Sequence, residues 1–262
     1  MKKFLVIGNP IKHSLSPQLH NFWFKENNIN AIYESLKLDS NQLDQLIKNL
    51  KEKKIDGVNI TVPFKKEIIS YLDKLSEEAS AVQSVNTICL EDNKLVGYNT
   101  DIVGFELSIK ETKFDLKNKN IFILGAGGVV PSIIYSLNKM NVSKIFISNR
   151  TKTKAEYLKK FYKNLTVLDW GEVPDFDMII NATSIGLNKN EKIDINFITM
   201  KNKFFYDVIY NPKETNFLQV GKKLGNKTLN GKMMFIYQAS AAFNLWHKIN
   251  PEINEKTIKI LD

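Results

Sequence analysis

Arginine, cysteine and histidine are scarce in this chain, and each shortage removes a class of function. One cysteine, Cys89, occurs among 262 residues, so no disulfide can close within the chain. That usage suits a reducing compartment and predicts a cytoplasmic protein. The three histidines, His13, His20 and His247, are scattered, and no Cys/His spacing suits a metal, so none is expected. No apolar run approaches the roughly 20 residues of a membrane-spanning helix, so no membrane partner is predicted. The opening MKKFLVIGNP is basic, but its apolar stretch is too short for a signal peptide and reads as a strand. Arginine occurs once, at Arg150, and lysine supplies the other cations of a net charge of +9. Such a charge raises nucleic acid as a partner. The lysines form no dense stripe and no interleaved aromatic platform, so a solvated surface suited to small anionic substrates is expected instead.

What is present alternates strand and helix signals. A hydrophobic content of 43% and a charged content of 25% fit one or two packed domains. KFLVIG is followed by a helical run from Pro17 to about Asn27, then by the strand AIYESLKL, the helix NQLDQLIKNLKEK and the strand DGVNITVP. A short helix after Phe64 leads into SVNTICLEDNKLVGYN, two extended runs joined by a polar turn. Strands separated by helices imply parallel pairing in an open α/β sheet. FELSIKETKF reads as a connecting helix after Asp101, and the rhythm restarts at Asn120 with IFILGAGGVVPSIIYSL. Further strands at KIFIS, LTVL, DMIINA and KFFYDVI match a doubly wound nucleotide-binding domain. The strongly apolar helix MMFIYQASAAFNLWHKI and a short helical segment follow.

The glycine turn is the first chemical signal. Gly125, Ala126, Gly127 and Gly128 sit where a strand meets a helix, where backbone N–H groups can approach a pyrophosphate. The G-x-G-x-x-G pattern is incomplete, because Val130 holds its last position. Pro131 falls in the first helical turn, where its missing donor is not needed. About 20 residues past such glycines an NAD site carries an acid for the ribose. Here the position holds Asn149, Arg150 and Thr151, with Lys152 and Lys154 behind. A guanidinium suits a phosphate fork, so NADP(H) is expected as cofactor rather than NAD(H).

In the first half, polar residues gather where strands end: Ser14, Ser16, Asn59, Thr61, Asn86 and Thr100, with Lys65 and Asp101 among them. Neutral donors and acceptors around one lysine and one aspartate suit a polyhydroxylated substrate that needs one proton transfer. Taken singly, Asn and Thr are ordinary turn and cap residues, and Ser16 before Pro17 reads as a helix N-cap. A hydrolytic pairing of His13 with Ser14 is disfavoured, since no nucleophile elbow accompanies it.

The motifs GNPIKHSLSPQLHN, NITVPFK, VNT, NTDIVGF, GAGG, NRT, NATSIG, DVIYNP and GKMMFIYQA, in this order, resemble those of the shikimate dehydrogenases over nearly the whole chain. The resemblance implies NADPH-dependent reduction of 3-dehydroshikimate to shikimate, in the pathway to chorismate and the aromatic amino acids. It implies a substrate domain of residues 1–101 plus about 237–262, and a Rossmann-like NADP-binding domain of residues 102–236. Carried over by motif, Ser14 and Ser16 hold the shikimate carboxylate, and Thr61, Asn86 and Gln238 meet the ring hydroxyls or their neighbours. Tyr210 lies near the carboxylate and nicotinamide, and Lys65 and Asp101 are the catalytic pair. Thr183, Ser184, Gly186 and Gly231 belong to the nicotinamide end. The family's usual glycine–alanine before VNT is here Gln83-Ser84, and alanine after GAGG is Val129. Lys154 replaces a frequent arginine, and Met233 a glycine. Alternatives are a quinate/shikimate dehydrogenase with relaxed substrate or NAD(H) use, and a non-catalytic NADP(H)- or metabolite-binding protein. The chain is expected as a monomer or homodimer.

Overall fold

The structure is a computed structural model that describes residues 1–12, 14–188, 190–197 and 201–261, so His13 of the disfavoured hydrolytic pairing lies outside the described residues. Two compact units emerge, Met1–Gly104 with Ile236–Asp262, and Phe105–Phe235.

In the first unit, β1 (Lys2–Gly8), α1 (Ser16–Glu26), β2 (Ala31–Lys37), α2 (Leu43–Lys51) and β3 (Gly57–Ile60) follow one another. The apolar period of α2 puts Leu43, Leu46, Ile47 and Leu50 on one buried face. Each such side chain contributes roughly 1.5–3 kcal/mol when taken out of water. After a 3-10 turn at Glu67–Tyr71 come β4 (Lys74–Leu75), α3 (Glu77–Val82), β5 (Thr87–Glu91), β6 (Lys94–Tyr98) and α4 (Asp101–Glu111). The sheet order is β2-β1-β3-β5-β6-β4. β1 pairs in parallel with β2 and β3, as the alternating pattern implies, but β5 runs antiparallel to β3 and to β6. The reason is a tertiary contact. Ile60 N–H donates to the Asn86 carbonyl, so the chain re-enters the sheet at the end by which it left β3. The β5–β6 turn is Asp92-Asn93, both at positive φ (47° and 60°), as a tight hairpin turn requires.

The second unit contains β7 (Asn120–Leu124), α5 (Val130–Lys139), β8 (Lys144–Ser148), α6 (Lys152–Lys159), β9 (Leu165–Leu168), β10 (Met178–Asn181), β11 (Phe204–Asp207), α7 (Asn216–Lys223) and β12 (Lys227–Leu229). Its strands are all parallel in the order β12-β11-β10-β7-β8-β9, a doubly wound sheet of the Rossmann type. One face buries Ile121, Ile123, Ile145, Ile147, Met178 and Ile180, and the other Phe122, Leu124, Ile179 and Phe205. Alternating burial on both faces is what helices on either side of a parallel sheet demand. Helices α8 (Lys232–His247) and α9 (Glu255–Lys259) follow, and the unit boundaries fall inside α4 and α8. In the first unit, Trp246 of α8 packs at a tilt against Phe4 of β1, ring centroids 4.9 Å apart.

Candidate active site

In the first sheet the direction of winding reverses between β1 and β3, and the carboxyl ends of strands at such a reversal are where α/β proteins bind ligands. Two turns leave from there and are tied together. Thr61 N–H donates to the Ile7 carbonyl (2.9 Å), and Asn9 N–H to the Val62 carbonyl (2.9 Å). The first turn carries Ser14 and Ser16. Ser16 is the first residue of α1 rather than its N-cap, which is Leu15. Its own N–H donates to Ser14 Oγ at 3.3 Å, so the Ser14 hydroxyl is held at the helix start. Ser16 is buried and Ser14 half-buried, and Thr61 is half-buried at the start of the second turn.

That second turn carries Lys65, whose ammonium lies 2.5 Å from Asp101 Oδ2. The partners are 36 residues apart in sequence, yet their side chains are only 12% and 9% exposed. A buried ion pair needs further hydrogen bonds to offset desolvation. Asp101 receives one from Asn86 Nδ2 on Oδ1 (3.0 Å), and Asn86 Oδ1 accepts from the Thr100 N–H (2.7 Å). The Lys65 carbonyl accepts from the Val85 N–H (2.8 Å), fixing the turn to the start of β5. Asn59 closes the set through Nδ2, which donates to Thr87 Oγ1 (2.9 Å) and to the Asn86 carbonyl (3.1 Å). The result is an ammonium and a carboxylate held in contact at a strand-end turn, able to exchange a proton with a third oxygen. Gln238 is half-buried on α8, within the first unit.

In the second unit the reversal lies between β7 and β10. Gly125 has φ +108°, and a Cβ there would sit 2.7 Å from the Ala182 carbonyl oxygen. Only glycine lets the β7 turn pass so near the turn after β10. Gly127 and Gly128 are exposed, and no side chain caps α5, so the turn offers backbone rather than side chains to a ligand. Val130, at the last glycine position, is fully buried in the core. At the end of β8, Arg150, Thr151 and Lys154 are exposed and Asn149 half-buried. Lys152 is drawn aside to Asp169 (2.6 Å). A glycine turn closed to a Cβ at Gly125 and open to solvent at Gly127 and Gly128, followed by exposed cations on the next strand end, fits a phosphorylated dinucleotide.

The turn after β10 is built on Asn181. Its Oδ1 accepts from Thr183 Oγ1 (2.7 Å) and Thr183 N–H (3.1 Å), and its Nδ2 donates to Asp207 Oδ1 (3.1 Å). Asp207 also accepts from Thr215 Oγ1 (2.6 Å) and Ile209 N–H (3.0 Å). Burial pushes its carboxyl up to about 6. Gly186 has φ +116°, and its N–H donates to Glu191 Oε2 (3.0 Å), while Ser184 is exposed. Tyr210 stacks on Phe235 at 4.4 Å, and Gly231 N–H donates to the Ile209 carbonyl (3.0 Å). Asn181 and Asp207 stand inside the motifs NATSIG and DVIYNP, yet residue type alone does not separate these internal braces from their neighbours.

A family profile described as shikimate dehydrogenase substrate binding domain matches residues 6–88, and one described as shikimate / quinate 5-dehydrogenase matches residues 107–214. A shikimate dehydrogenase (NADP(+)) of Pelagibacter ubique is 60% identical over 262 residues, covering 100% of this chain and 99% of that protein. The crystal structure of shikimate dehydrogenase from Aquifex aeolicus superposes with a TM-score of 0.92 at 35% identity, covering 100% of this chain and 97% of that one. The shikimate 5-dehydrogenase of Listeria monocytogenes, solved with shikimate and NAD, gives 0.91 at 28% identity, covering 100% and 96%. With profiles, a full-length relative and solved structures all in agreement, the chain belongs to the shikimate dehydrogenase family.

Proposed function

We propose that Lys65 and Asp101 handle the proton in a reversible, NADPH-dependent reduction of 3-dehydroshikimate to shikimate. The observation that carries this reading is the buried Lys65–Asp101 contact at 2.5 Å, braced by Asn86. Lys65, as an ammonium, hydrogen-bonds the ketone oxygen and gives it a proton as negative charge develops. Asp101 holds the ammonium in direction, and Asn86 holds Asp101. In the oxidative sense the pair takes the hydroxyl proton back. Ser14 and Ser16 bind the carboxylate, and Thr61, Asn86 and Gln238 the ring hydroxyls, with Tyr210 beside the carboxylate.

NADP(H) is the cofactor and supplies the hydride when bound. The turn Gly125-Ala126-Gly127-Gly128 takes the pyrophosphate. Asn149, Arg150, Thr151 and Lys154 take the adenosine end, the 2′-phosphate falling to Arg150 and Lys154 because Asp169 engages Lys152. Thr183, Ser184, Gly186 and Gly231 frame the nicotinamide. The free, buried Cys89 suits a cytoplasmic site of action. The chain is proposed to act as a monomer or homodimer.

A second reading, a quinate/shikimate dehydrogenase, has its NAD(H) use favoured by Lys154 in place of an arginine, which weakens the fork on the 2′-phosphate. Steady-state assays of shikimate and quinate against NADP⁺ and NAD⁺ decide between the two, with shikimate and NADP⁺ expected to dominate. Lys65→Ala is expected to lose about 10²–10⁴-fold in turnover with NADPH binding retained, and Lys66→Ala to stay nearly normal. Wild-type turnover in Lys65→Ala would remove the lysine from the chemistry. Absence of any substrate-dependent change in NADPH absorbance would leave a binding protein without turnover.

A further inference from the structure

The hydrogen bonds behind Asp101 have a direction that can be deduced. The Thr100 backbone N–H can only donate, so the Asn86 atom that faces it at 2.7 Å is Oδ1, and Nδ2 must face Asp101. The Asn86 backbone carbonyl can only accept, so the Asn59 atom that faces it at 3.1 Å is Nδ2, and Oδ1 must face the Tyr33 hydroxyl at 2.6 Å. Tyr33 therefore donates. Thr87 Oγ1 accepts from Asn59 Nδ2 (2.9 Å) and spends its own proton on Asn86 Oδ1 (3.0 Å). From Tyr33 through Asn59, Thr87 and Asn86, one donor of each residue points toward the Asp101 carboxylate, while the second proton of Asn59 Nδ2 goes to the Asn86 carbonyl (3.1 Å) and that of Asn86 Nδ2 to Thr100 Oγ1 (2.9 Å). The inner members Asn59, Asn86 and Thr87 are buried, and so is Tyr33, at 1% exposed. Tyr33 is itself clamped by His20, whose ring stacks on it at 4.3 Å and an interplanar angle of 4°.

We propose that Tyr33 is a positioning residue for the Lys65–Asp101 pair, acting through the one-way chain Asn59–Thr87–Asn86. This inference rests on the reading of Lys65 and Asp101 as the catalytic pair. In a buried chain of aligned donors each bond polarises the next, and all of them favour an ionised acceptor at the end. Tyr33 also sets which way the Asn59 amide faces. Without that donor, Asn59 Oδ1 loses its partner and the amide no longer has one preferred orientation. The slack is passed to Thr87 and Asn86, and from there to the carboxylate that aims Lys65.

The test is a kinetic cycle on the full chain with Tyr33→Phe, Thr87→Val and the double variant, beside Tyr98→Phe as control. Tyr98 sits opposite Thr87 in the β5–β6 register, but its hydroxyl donates to Glu91 Oε1 at 2.8 Å and to no member of the chain, so that variant removes a neighbouring hydroxyl without breaking the relay. Tyr33→Phe is expected to lower kcat about threefold to tenfold, the kinetic equivalent of one net hydrogen bond, while KM for NADP⁺ holds and KM for shikimate, which Asn86 also meets, changes by less than kcat. Thr87→Val, which breaks the chain midway with little change of shape, is expected to do the same. The double variant is expected to lose less than the product of the two single losses, since with the Thr87 hydroxyl gone the upstream donor acts only through the bond from Asn59 Nδ2 to the Asn86 carbonyl. Tyr98→Phe keeps wild-type kcat.

Additive losses in the double variant, or equal changes in kcat and KM, would overturn the proposal, because both are what a general loosening produces. Thr87→Val with wild-type kcat would overturn it even if Tyr33→Phe failed to fold. Lys65→Ala separates the two levels. If it loses turnover while the cycle is flat, the positioning role alone fails. If it keeps turnover, the catalytic pair fails and the positioning role with it.

Discussion

Gln83 is a residue in a glycine's place. It ends α3 with φ 50° and ψ 45°, a left-handed conformation that disfavours a Cβ. Its side chain is exposed, with one hydrogen bond from Nε2 to the Ser80 carbonyl (2.7 Å). Gln83→Gly is therefore expected to raise stability by about 0.5–1 kcal/mol, the steric relief less glycine's greater chain entropy. The midpoint of urea unfolding measures it, and an unchanged or lower midpoint counts against a strained cap. At this scale the sequence is an uneven guide. Lys65 and Asp101 stand out only through their motifs, since nothing local brings together residues 36 positions apart. Ser16 followed by Pro17 has the form of an N-cap, yet α1 starts one residue earlier and Ser14 supplies the acceptor. Tyr33 gives no sign at all. In AIYESLKL it is one more apolar position of a strand, and its hydroxyl acquires meaning only when β3 brings Asn59 beside it.

Among elements, the β7–α5 turn is the most constrained. Gly125→Ala would set a Cβ 2.7 Å from the Ala182 carbonyl oxygen in a backbone conformation closed to alanine. To relieve the clash the turn must move away from the end of β10. NADPH affinity is expected to fall about tenfold or more, the equivalent of about 1–3 kcal/mol of backbone strain. Fluorescence titration of NADPH checks this, and wild-type affinity would show that the turn does not carry the cofactor. The β7, β8, β10 and β11 strands and their parallel order are legible because each is an unbroken apolar run with turn signals at both ends. Shorter elements escape: β4 has two residues and β12 three, too few for any period to register. Helix α3 also escapes, although Ser76 caps it by accepting from the Ala79 N–H (3.1 Å) and two glutamates follow. The antiparallel β5 is hidden for a different reason. Its direction depends on the end of the sheet at which the chain returns, and that is settled by tertiary contacts rather than by spacing.

On the scale of the folded molecule, pH acts through two imidazoles. His20 is fully buried among Trp23, Tyr33, Phe243 and Trp246, and neither ring nitrogen has a partner among the described residues. Burial first, then the His247 charge, pushes His20 down to about 3 from 6.5. His247 is pushed to about 4, by burial and then Lys2, against the opposing pull of Asp56. Unfolding frees both to bind protons, so their contribution to stability is present above about pH 6.5 and is lost as pH falls through their folded values. The loss approaches about 1.4 kcal/mol per pH unit for each group. Asp207 runs the other way. Its folded value of about 6 exceeds the ordinary 3.8, so the stability it contributes is complete below 3.8 and disappears as pH rises through 6. Two groups outweigh one, and net acid sensitivity below pH 6.5 is expected. His20→Phe removes one imidazole without stranding a hydrogen-bond partner. Its urea midpoints from pH 6.5 to 4 are expected to fall less steeply than those of the parent chain. An identical slope would place the acid sensitivity elsewhere.

Because the first unit is assembled from two stretches separated by the whole of the second, it has a timetable. During synthesis Phe4, His20, Trp23 and Tyr33 leave the ribosome long before Phe243 and Trp246, the rings that cover them. The span from Phe105 to Phe235 is contiguous and can close while translation continues. That aromatic surface must wait uncovered for the later-made α8, so nascent chains stalled before α8 are the ones a chaperone should hold.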